Sequence, residues 1–178
     1  MREDLAEVTH LLSLRGEESD ERIAEIAEKL GISNLLDKHP YDLSGGEQQK
    51  AAIAKLLLTD PRILLLDEPT KGLDAYAKRG LAELLRALTA EGKTVVLVTH
   101  DVEFAASYAD RCALFFDGKI VSAADPVTFF STNRHYTTAA ARITRPTYQN
   151  AVTLDAAVAL CRLNGKKSSP TEENVNNG

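Results

Sequence analysis

Two short stretches without a polar residue, Ile63-Leu64-Leu65-Leu66 and Val95-Val96-Leu97-Val98, constrain this chain more than anything else in it. Each has the length of a strand, and neither alternates, so both faces of each are apolar. Between them Leu81, Leu84, Leu85 and Leu88 recur at helical spacing, with Gly92 as the stop. Strand, helix and strand in that order predict an α/β fold around a parallel sheet covered on both sides. A helix from about Val102 and a strand Ala113-Leu114-Phe115-Phe116 follow, and Asp117-Gly118 before Lys119-Ile120-Val121 signals a hairpin.

The flanks read as helical. From about Asp4 to Leu36, Ile23, Ile26, Ala27 and Leu30 share one face, acidic residues from Glu17 to Glu21 crowd a helix start, and Gly31 marks its end. Beyond Pro126 come short helical segments, one carrying Leu154, Val158 and Leu160, and the polar stretch 166–178 is expected to be disordered. The 178 residues allow one domain, or one with a small appendage. A net charge of -5 without a basic stripe argues against a nucleic-acid partner. Cys112 and Cys161 stand alone, which argues against a disulfide framework. Neither a signal-like start nor an apolar run of about 18 residues is present, so a cytosolic chain that meets a membrane only through partners is expected.

Three segments carry chemistry. In Leu43-Ser44-Gly45-Gly46-Glu47-Gln48-Gln49-Lys50, two glycines bare the backbone at a helix start, where free N–H groups and the helix dipole favour an anion. Ser44 adds a hydroxyl at the cap. The run Ile63 to Leu66 ends in Asp67 and Glu68, which puts carboxylates at the carboxyl edge of a sheet, where α/β folds bind ligands. Asp67 suits Mg²⁺ held through water, and Glu68 suits polarising an attacking water. His100 follows the strand Val95 to Thr99 and is expected on the same edge. Each segment alone also fits an ordinary cap, an acidic turn or a structural histidine.

Taken together, their order and spacing resemble the ATP-binding-cassette (ABC) ATPases. Leu43 to Lys50 is similar to that family's signature motif, with Glu47 where Gln is commoner and Lys50 where Arg is commoner. Ile63 to Glu68 resembles the Walker B strand with its glutamate, Gly72-Leu73-Asp74 the D-loop, and Thr99-His100-Asp101 the switch histidine. Asp117 to Val121 with Asp125-Pro126 resembles importer-type cassettes. Tyr136 to Arg142 with Ala151-Val152-Thr153 resembles the C-terminal part of energy-coupling-factor ATPases, which drive vitamin and transition-metal uptake. The resemblance implies ATP and Mg²⁺, with Glu68 and His100 catalytic and Asp67 near the ion. It also implies Ser44, Gly45, Gly46 and Glu47 meeting ATP across a dimer interface, with Asp74 in the D-loop.

A P-loop is not found. Gly92-Lys93-Thr94 has its ending, but Ala87 stands where the first glycine is needed, and the segment leads from a helix into a strand. Gly118-Lys119 is followed by Ile120, and Gly165-Lys166 by Lys167; no glutamine precedes Gln48 to serve as a Q-loop. The expectation is therefore the back part of an ABC-ATPase domain. It comprises a helical subdomain (1–42), a core part with signature, Walker B, D-loop and switch histidine (43–131), a helical extension (132–165) and the tail. Such a chain would offer the signature half-site in trans to a second ABC subunit in a head-to-tail dimer, beside a transmembrane coupling protein. Its place would be the inner face of the cell membrane. The alternatives are a non-catalytic cassette fragment, or a soluble ABC ATPase acting on ribosomes or DNA.

Overall fold

The computed structural model describes residues 1–14, 16–133, 136–148 and 150–165; the stretch 166–178, expected to be disordered, and the Lys166-Lys167 pair lie outside the described residues. The chain divides into two compact units, Met1–His100 and a second that begins at Asp101. The division falls inside the segment 43–131 because the strands form two separate sheets. β1 (Ile63–Asp67) pairs parallel with β2 (Thr94–Val98), and β3 (Cys112–Phe116) pairs antiparallel with β4 (Lys119–Ala124).

The first unit opens with α1 (Arg2–Leu11) and α2 (Glu17–Leu30). Ile23, Ile26, Ala27 and Leu30 are the buried face of α2, and Gly31 ends it in the left-handed conformation at φ +63°. The two helices are stapled by Thr9 and Ser19, whose hydroxyls lie 2.5 Å apart with Thr9 fully buried. After two short 3₁₀ turns, Ser33–Leu35 and Pro40–Asp42, comes α3 (Gly45–Leu58), which buries Ala51, Ile53, Ala54, Leu57 and Leu58. Between β1 and β2 runs α4 (Ala75–Ala90), which buries Leu81, Ala82, Leu85 and Leu88.

The β1–β2 pairing is in register from Ile63 opposite Thr94 to Asp67 opposite Val98. One expectation fails here: the sheet is not covered on both sides. Leu64 and Leu66 are buried, whereas Ile63, Leu65, Val96 and Val98 are exposed. The runs are apolar on both faces, but the helices of this unit bury only the side that carries Leu64 and Leu66. The Gly92 turn, at φ +88°, joins α4 to β2, and Lys93 extends its ammonium to Asp60, 2.7 Å away, and to the Pro61 carbonyl.

The second unit holds α5 (Val102–Tyr108), the β3–β4 hairpin, α6 (Pro126–Thr132), α7 (Ala139–Thr144) and α8 (Leu154–Gly165). Asp117 and Gly118 both take positive φ, 48° and 73°, the mirror-image turn that suits a two-residue hairpin. Ala106, Cys112, Phe129, Phe130, Ala141 and Val152 form its core. Arg145 clasps the α6–α7 connection by donating from Nη2 to the carbonyls of Phe130 and Asn133 and to Thr137 Oγ1.

Adjacent positions of β1 separate the two faces. Leu64, 2% exposed, is expected to cost about 2–5 kcal/mol on replacement by alanine. Leu65, 73% exposed, is expected to change stability by less than about 0.5 kcal/mol as Leu65→Ser. Urea unfolding of the two variants checks the assignment.

Candidate functional site

The start of α3 is built by a reciprocal cap. Ser44 Oγ accepts from the Glu47 N–H at 3.4 Å, and Glu47 Oε2 accepts from the Ser44 N–H at 2.8 Å. The hydrogen bond from the Ser44 backbone N–H, and after it the Ser44 side chain, hold the Glu47 carboxyl below its ordinary value. The cap leaves the first-turn N–H groups of Gly45 and Gly46 without a partner among the described residues. They border a cavity of about 660 Å³ that Glu47, Lys50, Asp74 and Arg79 also line.

The two glycines differ. A Cβ on Gly45 would meet Gly72 O and Leu73 at 3.7 Å, an ordinary contact. A Cβ on Gly46 would lie 3.1 Å from the Ala77 Cβ, so the bare backbone there is also what lets α3 approach α4. Asp74 caps α4, its Oδ1 accepting from the Ala77 N–H at 2.7 Å. The start of α3 and the 72–74 loop thus meet at one point, with Ala77 touched from both sides.

At the end of β1 the chain turns sharply. Glu68 has φ +46°, left-handed backbone on a non-glycine residue, and its N–H donates to the Val98 carbonyl at 2.8 Å. Glu68 Oε1 is buried without a hydrogen-bond partner and lies 3.6 Å from His100 Nε2. The Glu68 side chain is 28% exposed and that of His100 94%. A carboxylate and an imidazole so placed are able to hold a water between protein and substrate. Asp67 is exposed at the strand end. Among the described residues no three His, Cys, Asp or Glu side chains cluster as a metal cage. A lone carboxylate fits Mg²⁺ that keeps its waters and takes its other ligands from substrate phosphates.

Sequence reasoning had no signal for three features. The Gly46–Ala77 approach needs the α3–α4 packing, the cap role of Asp74 is read only with the start of α4 in hand, and the contact of Thr70 Oγ1 with Thr99 Oγ1 at 3.3 Å joins residues 29 apart.

The family model described as ABC transporter matches residues 1–71, the stretch that holds the α3 cap and the β1 acids. A putative ABC transporter ATP-binding protein of Bacillus anthracis is 44% identical over 149 residues, 84% of this chain and 27% of that protein. The chain is part of an ABC transporter ATP-binding domain. The energy-coupling factor transporter ATP-binding protein EcfA of Methanothermobacter thermautotrophicus is 39% identical over 130 residues, 73% of this chain and 42% of that protein. Among solved structures, cbiO1 from Clostridium perfringens, part of the ABC transporter complex cbiONQ, matches with a TM-score of 0.67 and 25% identity. The match covers 89% of this chain and 59% of that one. The chain spans about a quarter of the length of the first curated relatives it matches.

Two predictions separate packing from capping. Gly46→Ala is expected to cost about 1–3 kcal/mol through the forced α3–α4 contact, whereas Gly45→Ala is tolerated; denaturant midpoints compare them. Because the Glu47 carboxyl is held low in the folded chain, its contribution is present above the unfolded-state value. It is lost as pH falls through the lowered one. Glu47→Gln is expected to lower the melting temperature most at the pH where Glu47 is fully ionised in both states, and to bring the two proteins together as pH falls through the lowered value.

Proposed function

We propose that this chain supplies the signature half of an ATP site to a P-loop-bearing cassette, as part of an energy-coupling-factor-like importer for a vitamin or transition metal. The observation that carries the reading is the start of α3: two glycine N–H groups with no partner among the described residues and the Ser44 hydroxyl bordering one cavity. That arrangement suits the terminal phosphate of a nucleotide held by another P-loop. Likeness to EcfA and to cbiO1 supports the importer class.

In this reading Ser44 Oγ–H and the N–H groups of Gly45 and Gly46 donate to the γ-phosphate oxygens and hold them in line. Glu68 accepts a proton from the attacking water, and His100 steadies the phosphate side of the same water. Asp67 accepts from a water of the hydrated ion. Mg²⁺, when bound with ATP, neutralises developing charge on the phosphates. Asp74 fixes the D-loop against the start of α4. In the same reading a transmembrane coupling protein attaches the chain to the membrane; no helix among the described residues is long and apolar enough to cross one. A second cassette closes the site head to tail, and no nucleic acid is required.

One observation favours a second reading, a non-catalytic fragment that serves as a surface: the exposed row Ile63, Leu65, Val96 and Val98. Mg-ATP binding separates the two. The chain alone is expected to bind weakly, and mixing it with a P-loop-bearing cassette subunit is expected to raise nucleotide affinity and turnover. Glu68→Gln in the mixture is expected to slow turnover by about 10²–10⁴-fold. A mixture indistinguishable from the cassette subunit alone supports the fragment, and tight binding by the isolated chain overturns the shared-site reading.

A further inference from the structure

His100 is almost wholly exposed, so packing does not fix its ring; its place depends on the backbone that carries it. Glu68 depends likewise on a turn held in left-handed backbone. The parallel ladder ends at Asp67 opposite Val98, one residue before Glu68 on one segment and two before His100 on the other. What lies beyond the ladder must therefore keep the two side chains at their separation.

Thr70 stands at that point. It is 3% exposed, and its Oγ1 lies 3.3 Å from Oγ1 of Thr99, the residue before His100. A buried hydroxyl needs a partner, and a hydroxyl pair fixes direction where a methyl fixes only volume. The same residue is bound into the D-loop. The Lys71 N–H donates to the Glu68 carbonyl at 3.0 Å, and the Leu73 N–H donates to the Thr70 carbonyl at 3.2 Å, one residue before Asp74.

We propose that Thr70 is a positioning residue: its buried hydroxyl, set against that of Thr99, fixes the separation of Glu68 and His100, while its carbonyl ties the D-loop to the same point. Its catalytic consequence rests on the ATP-hydrolysis reading above. Thr70→Val keeps the shape and removes the hydroxyl; Thr70→Ser keeps the hydroxyl and removes a methyl.

The test has two arms. In the 178-residue chain, NMR contacts between the His100 ring and the Glu68 side chain are expected to weaken in Thr70→Val and to persist in Thr70→Ser. With a P-loop-bearing cassette, Thr70→Val is expected to lower kcat by about 10- to 100-fold with the KM for ATP little changed, and Thr70→Ser to restore most of it. Contacts and kcat like those of the original chain in Thr70→Val overturn the proposal, as does a Thr70→Ser variant that loses the contacts as fully as Thr70→Val. If the original mixture hydrolyses no ATP, the functional reading has failed, and the NMR arm alone decides the role of Thr70. Should Thr70→Val not fold, Thr70→Ala removes the same hydroxyl and takes its place.

Discussion

The parallel pairing of β1 with β2 is the interaction on which the first unit depends. Its last rung sets Asp67 against Val98, and one further bond, from the Glu68 N–H to the Val98 carbonyl, bends the chain into its left-handed turn. Remove that rung and Glu68, the 72–74 loop and His100 have no common origin. A non-glycine residue at positive φ costs of order 1–3 kcal/mol, and the hydrogen-bonded ladder beside it is what over-determines the conformation. The chemical groups sit at the end of the strands because side chains there escape the sheet while their backbone is still anchored by it.

A second constraint governs the start of α3. Four first-turn N–H groups of any helix need partners. The Ser44–Glu47 box satisfies some of them reciprocally, and the glycines leave the others facing the cavity. Glu47 is well suited to this, since its carboxylate accepts from the Ser44 N–H while its own N–H finds the Ser44 hydroxyl. The α4 cap by Asp74 closes the other side of the same region, so capping, an elementary device of helix stability, also shapes the candidate phosphate site.

Much of this was legible in the residues. The Ile23–Leu30 face, the Gly31 stop, the leucine row of α4 and the Asp117-Gly118 turn follow from periodicity and from the few residues that tolerate positive φ. The α/β class followed from two unbroken apolar runs. The same runs misled on coverage: Leu65 is as apolar as Leu64, and no property of either residue says which face the available helices reach. Ala77 against Gly46 and Thr70 against Thr99 were invisible for a related reason. Each is a contact between ordinary small residues far apart in sequence, created only when two elements pack. Local rules see caps and turns; they do not see neighbours.

The bare side of the β1–β2 sheet has a consequence for how such a polypeptide is handled in solution. An apolar row beside strand edges invites whatever strand or helix comes first, including another copy of itself. Any partner that covers this face competes with self-association for the same surface. The quantity of chain that stays dispersed is then expected to follow the supply of such a cover, with stoichiometry taking the role that a second layer of helices plays in a closed sheet.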